Sequence, residues 1–495
     1  MRLHSFAAGI GLALLLAGCA SSGGLHTRGT LTDPSTLATE QSLARLHAAE
    51  ASWPSEDWWT ALGDPQLGAL IAEALRDNPS LAVADARARA AQAAVGSADA
   101  ARGPSVNAGA ALSGARLPTT VAPPEVGGGH FVTAKYAYAS FNWGLDLWGG
   151  KKAAWEAAVG EAKAADIESR AARIELSANV ARAYAQLGYA FAQKDVADAE
   201  FKRASAARQL TRQRVDAGVD SKLQLKQGDA EVAQAERAQA VAERAVDAAR
   251  SALSVLLGKG PDRGLAIGRP ALLQPAAVAV PADLPAGLIG HRPDLVAARW
   301  RVEAAQQDIA SAKTEFLPNL SIGALAGVLA TGGTNLFQLP ARFYQLGPTL
   351  SLPIYDGGRL RANLDRKDAA YDLAVAQYNQ TLVAAVNEVA DDLSGLSSLT
   401  TQIDAQQRAL DAATQAWDLA GQRYRAGVGS YLDALVVRQQ LLQAEQGLAA
   451  LKAQQVDLSV QLLAALGGGY QPRSADAVPP PAAAAAHPSS PSDHS

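Results

Sequence analysis

The chain holds one cysteine and one methionine among 495 residues. With Cys19 alone, no disulfide can form within the chain. Aromatic residues make up only 5%, and the formal net charge of -4 supplies no global attraction to nucleic acid. After Leu16 there is no run of about 20 apolar residues, so a membrane-spanning helix is excluded and any crossing must be made by strands. Proline is absent from Lys151 to Ala217 and again from Gly358 to Ala426. The chain has no glycine-rich phosphate loop, nucleophile elbow or His/Glu metal spacing, and nothing points to an enzyme. His130 and His291 are the only histidines deep in the chain, and His291 precedes Arg292-Pro293, the pattern of an exposed turn. What is abundant is alanine. At 48% hydrophobic and 19% charged residues, the composition suits packed structure built from closely approaching helices.

The first 18 residues read as a signal peptide: Arg2, a short apolar stretch from Phe6 to Leu16, then Leu16-Ala17-Gly18-Cys19. Small residues before a cysteine resemble a bacterial lipobox, in which the cysteine becomes the acylated first residue of the mature chain. The alternative is an ordinary signal peptide with an incidental cysteine. Ala20 and Ser21 lack the aspartate that resembles an inner-membrane retention signal, which implies delivery to the outer membrane. Residues 19–62 read as a lipid-anchored tether, and residues 471–495, rich in Pro, Ala and Ser, as a disordered tail.

The chain repeats itself. Gln213-Arg214-Val215-Asp216-Ala217-Gly218-Val219 returns as Gln422-Arg423-Tyr424-Arg425-Ala426-Gly427-Val428, 209 residues later. The same interval carries Gln234-Ala235-Glu236 onto Gln443-Ala444-Glu445 and Leu257-Gly258 onto Leu466-Gly467. Pro79-Ser80-Leu81 and Ala90-Ala91-Gln92 return as Pro293-Asp294-Leu295 and Ala304-Ala305-Gln306. The order kept across so many segments indicates two copies of one long unit. Repeat 1 covers 63–262, and repeat 2 covers 286–470, joined by a connector at 263–285. Each copy reads as a helix (about 65–102 and 288–317), two strands, and two long helices. The long helices are predicted at 151–217 and 222–257, then at 358–426 and 430–466.

The strands are predicted at 104–116, 131–147, 318–330 and 341–354. Val106, Ala108, Ala110 and Leu112 alternate with Ser105, Asn107, Gly109 and Ser113, and the third and fourth strands alternate likewise. Period-two alternation over about 9–11 residues fits a strand with one face in lipid. Tyr136, Tyr138, Phe141 and Trp143 in the second strand suit an interfacial aromatic belt. A soluble sheet with one wet face would show the same alternation. Four strands are too few to close a membrane barrel, whose smallest form has about 8, so lipid-crossing strands would require several chains to share one barrel.

The proline-free segments are extreme helices. About 67 residues at 1.5 Å each extend roughly 100 Å, against a mean helix of about 12 residues. Their partners carry a heptad, with Leu441, Leu448, Gln455 and Leu462 in one register and Ala444, Leu451, Leu458 and Ala465 in the other, which indicates coiled-coil packing. Gly218 and Gly427 suit the left-handed turn between the long helices.

Together these features resemble the outer-membrane efflux proteins, also called outer-membrane factors or TolC-like proteins, and within them the lipoprotein branch that serves resistance-nodulation-division pumps. The resemblance rests on Asp57-Trp58-Trp59, Asp64-Pro65-Gln66-Leu67, Leu145-Asp146-Leu147-Trp148-Gly149, Arg292-Pro293-Asp294-Leu295, Leu352-Pro353-Ile354-Tyr355-Asp356-Gly357-Gly358, Asn387-Glu388-Val389-Ala390-Asp391 and Arg423-Tyr424-Arg425-Ala426-Gly427-Val428. It implies an α+β membrane protein of two tandem repeats. Three chains would form a 12-stranded barrel over a periplasmic helical barrel. It implies a channel for small molecules, with a periplasmic adaptor and an inner-membrane pump as partners and no cofactor beyond lipid on Cys19. The tips at Gly218, Val219, Gly427 and Val428 would face the pump. Tyr424 and Asp433 are the implied constriction residues. A second family acid would fall at Val436, so the chain departs from the pattern there, and Asp220 is the candidate replacement. Asp433 reads equally as a solvated carboxylate favoured at a helix start. A protein-secretion duct of the same fold and a structural coiled-coil lipoprotein are the alternatives; the second leaves the four strands unexplained.

Overall fold

The computed structural model describes residues 24–37, 53–116, 118–121, 123–126, 128–271, 273–275 and 287–477. Cys19, and with it the expected lipid attachment, lies outside them. Two helices open the folded chain, α1 (Pro65–Asp77) and α2 (Pro79–Ala100). Strands β1 (Ser105–Arg116) and β2 (Phe131–Gly144) follow, then α3 (Gly150–Asp216), α4 (Lys222–Leu256) and the short α5 (Pro261–Leu265). The second half repeats the order: α6 (Leu288–His291), α7 (Pro293–Thr314), β3 (Asn319–Thr331), β4 (Arg342–Ser351), α8 (Arg359–Arg425) and α9 (Tyr431–Ala465).

The helix expected at 65–102 is two helices. Pro79 offers no N–H and forces Asn78 out of helical geometry, to φ -73° and ψ 123°. The Asn78 side chain fills the break, accepting from the Ser80 N–H at 2.8 Å and donating to the Leu256 carbonyl at 2.6 Å. Pro293 imposes the same break on the second copy, where Arg292 is extended at φ -101° and ψ 115°. The helix α3 and its counterpart α8 are unbroken over 67 residues each.

Two compact units emerge, and neither is a sequence repeat. Among the described residues, one gathers those of 24–31, 88–165 and 298–378, and the other those of 32–87, 166–297 and 379–477. The first unit holds the sheet and a small core of Ile309, Ala312, Phe316, Leu360 and Leu364. Small residues set its helix spacing: a Cβ on Gly160 of α3 would lie 3.0 Å from Ala304 of α7. Residues near Gly29 lie along α8, the Arg28 and Gly29 N–H groups donating to Asp372 at 2.8 and 2.7 Å.

The second unit holds the larger core, where Leu67, Leu70, Ile71 and Ala74 put one face of α1 against Leu176, Val180, Tyr184, Leu253 and Val460. Full burial of each large side chain contributes about 1.5–3 kcal/mol. Trp58 and Leu62 belong to this core, so packed structure begins before residue 63, within the stretch read as tether. It also continues past 470. Arg170 grips the Asp476 carboxylate at 2.8 and 2.7 Å, and the Tyr470 hydroxyl donates to it at 3.0 Å. The polar tail composition concealed this single buried carboxylate.

Candidate functional site

Two regions carry the candidate functional residues, the sheet of the first unit and the helix tips of the second. The sheet is antiparallel in the order β1-β2-β3-β4. Its register sorts the side chains into two chemistries. Val106, Ala108, Ala110 and Leu112 of β1 share a face with Ala137, Ala139, Phe141 and Trp143 of β2. Ile322, Ala324, Ala326 and Val328 of β3 join the same face, as do Tyr344, Leu346 and Leu350 of β4. The opposite face is the more polar one, with Ser105, Asn107, Ser140, Asn142, Ser321, Gln345 and Thr349 set among Leu325, Leu329 and Phe343. Val106, Leu112, Tyr344, Leu346 and Leu350 are exposed on the apolar face, in contrast to the covered face of a soluble sheet. The expected aromatic belt divides: Phe141 and Trp143 lie on the apolar face, but Tyr136 and Tyr138 point to the polar one. There the Tyr138 ring lies over Gly109, where a Cβ would stand 2.8 Å from it. Among the described residues, β1 and β4 each leave one edge unpaired.

At the tips, Gly218 (φ +70°) and Gly427 (φ +76°) take the left-handed conformation expected of them. A capping box starts each returning helix. Ser221 exchanges bonds with Gln224, and Ser430 exchanges them with Asp433 at 3.0 and 3.4 Å. Asp433 is thus occupied at a helix start while remaining exposed. Val219 and Val428 are exposed beside the glycines.

Asp220 and Tyr424 come together. The Tyr424 hydroxyl donates to Asp220 at 2.6 Å and lies 3.2 Å from the Thr211 hydroxyl. Arg214 donates to Asp220 through Nε at 2.9 Å and to the Tyr424 carbonyl at 3.2 Å, its guanidinium 4.7 Å above the Tyr424 ring. Burial pushes the Asp220 carboxyl up, but the bonds from Arg214 and Tyr424 outweigh it and hold the group below its ordinary value. Burial, and then the neighbouring Asp220, push the Tyr424 hydroxyl up. The partners come from different repeats and are not duplicated: Val215 stands where Tyr424 would recur, and Gly429 where Asp220 would. The cluster bonds the end of α3 to the end of α8.

A second charged cluster escaped the sequence reading. Arg438 of α9 is buried between Glu200 of α3, at 3.1 Å, and Glu231 of α4. Arg203 joins Glu200 to Glu445 at 3.2 and 2.6 Å. Burial raises the Glu200 carboxyl, against the opposing pull of Arg438 and Arg203. The Glu200/Arg203 spacing was the only local signal, and it looks the same on any solvated helix.

A profile of the outer membrane efflux protein family matches residues 70–259 and 284–468. The chain belongs to the outer membrane efflux protein family. It is 30% identical to the multidrug resistance outer membrane protein MdtP of Escherichia coli, over 86% of this chain and 89% of that one. It is 36% identical to the solvent efflux pump outer membrane protein SrpC of Pseudomonas putida, over 51% of this chain and 54% of SrpC. The solved outer membrane protein VceC of Vibrio cholerae aligns with a TM-score of 0.77 at 33% identity, covering 85% of this chain and all of VceC. As an outer membrane efflux protein, the chain is an outer-membrane channel component of a Gram-negative efflux system. Channels, not enzymes, make up its family and structural neighbours.

Proposed function

We propose that three copies of the chain close one twelve-stranded barrel and pass small molecules outward. An inner-membrane pump would deliver them through a periplasmic adaptor that meets the tips at Gly218, Val219, Gly427 and Val428. The observation that carries this reading is the four-stranded sheet with an exposed apolar face and two unpaired edges. Such a sheet has no stable place in lipid until its edges are paired. Cys19 carries covalent lipid that holds the chain at the outer membrane, and the channel needs no other cofactor and performs no catalytic step. The names of MdtP and SrpC support drug-like or solvent cargo, and selection belongs to the pump.

The Arg214–Asp220–Tyr424 cluster acts as a latch at the periplasmic constriction, because it joins two helix ends that must part for the tips to spread. Asp433 lies at the rim as an exposed acid. The test is the mass of the detergent-extracted particle with detergent subtracted. A trimer is expected; a stable monomer overturns the shared barrel. Labelling with palmitate tests the anchor: Cys19→Ser removes the label if the reading holds, and retained label overturns it.

A further inference from the structure

Only three full positive charges lie on the sheet strands, and all sit at one end of one face. Arg116 is the last residue of β1, Arg342 the first of β4, and Lys135 of β2 pairs with Ala330, the penultimate residue of β3. Successive pairings set them in a diagonal row: Lys135 opposes Leu112, four residues from Arg116, and Arg342 opposes Val328, two residues from Ala330, which spaces neighbouring cations by roughly 12–14 Å. Even spacings keep a face, so all three side chains project from the apolar face. No carboxylate accompanies them. Glu125 is the only acid in 104–145 and 318–355, and it lies in the short 3-10 helix Pro124–Val126, outside the strands. Among the described residues none of the three forms an ion pair.

A cation on a lipid-facing surface is costly at mid-membrane and cheap at headgroup depth. From Arg116 to Val106, Lys135 to Trp143 and Arg342 to Leu350, the strands run 8–10 residues. At about 3.4 Å per residue and a tilt near 40°, that is roughly 20–25 Å of depth, the height of the apolar band. The Trp143 end continues into the long helices, so the cations lie at the opposite, outer boundary.

Resting on the shared-barrel reading, we propose that Arg116, Lys135 and Arg342 form a binding site for the phosphate groups of an outer-leaflet phosphorylated glycolipid. The chemistry is charge pairing: guanidinium and ammonium donors face the phosphates while the apolar residues below take the acyl chains.

The test uses purified full-length protein in mild detergent, with bisphosphorylated lipid A as the probe and particle mass read in the same samples by native mass spectrometry. The wild type is expected to bind bisphosphorylated lipid A at least tenfold tighter than dephosphorylated lipid A or phosphatidylglycerol. The Arg116→Ala/Lys135→Ala/Arg342→Ala variant loses that preference, while Arg116→Lys/Arg342→Lys keeps it. Equal wild-type binding to all three lipids overturns the site without calling on any variant. So does a triple variant that still discriminates. A trimer that fails to discriminate refutes the site alone, whereas a monomer refutes the barrel on which it rests.

Discussion

Replacing Tyr424 with phenylalanine tests the latch with the smallest change available. The substitution removes one oxygen and keeps the buried ring and its contact with Arg214. The lost bond is short, 2.6 Å, and its acceptor is the Asp220 carboxylate, whose side chain is only 6% exposed. A hydrogen bond to a charged group contributes about 1.5–3 kcal/mol. If spreading the tips breaks this bond, about 2 kcal/mol is removed from the closed state only. At about 1.4 kcal/mol per tenfold, the open-to-closed ratio rises roughly 30-fold. Single-channel recording in planar bilayers reads this ratio from dwell times. The Asp220 carboxyl lies below its ordinary value of 3.8, so its contribution is complete at neutral pH and is lost only as the pH falls through the folded value. The open fraction of the wild type therefore rises on strong acidification, and that of Tyr424→Phe is already raised at neutral pH. A Tyr424→Phe channel with wild-type dwell times and an intact fold would refute the latch.

Three further outcomes follow from the packing. Burial, and then Glu388 and Asp391, push the Asp392 carboxyl up to about 6 against Arg182 and Arg292. The native state therefore gains from its proton below pH 3.8 and loses that gain as pH rises through about 6. Asp392→Asn should raise the melting temperature at pH 7.5 and leave it unchanged in acid; a pH-independent difference contradicts this. Arg438→Met strips the buried guanidinium from Glu231 and leaves Glu200 with Arg203 alone, and should cost about 3 kcal/mol in denaturant titration; an unchanged midpoint would show the network to be energetically idle. Gly427→Ala meets open space and carries only the left-handed backbone penalty of about 1–2 kcal/mol. At Gly467 a Cβ would lie 1.9 Å from the His291 carbonyl, so Gly467→Ala should lower the melting temperature far more; equal losses would contradict the packing.

Features of long period were legible in the sequence. The duplication, the proline-free helices and the alternating strands survive in the structure because each is written over many residues. The helix breaks at Pro79 and Pro293 were also written there, in the restriction that proline places on the residue before it, but the helical periodicity on either side overrode them. Residue type alone suits Tyr136 and Tyr138 to the belt, although their even numbers, set against Phe141 and Trp143, already send them to the other face. The charged network around Arg438 was not legible. Its partners are 207 and 238 residues away, and no local pattern separates a buried Glu200 from a solvated one. In sequence Asp220 reads as the replacement for a constriction acid; only the fold shows it already paired with Arg214.

The unpaired edges of the sheet also govern what happens when different subunits share a membrane. In the proposed trimer every chain contributes one edge to each of two seams, so a subunit with a ruined edge spoils a barrel built otherwise from sound copies. With random mixing of equal amounts, only about one barrel in eight contains three sound subunits. A strand-edge proline allele would therefore be dominant over the intact gene, whereas a null allele would merely halve the number of channels.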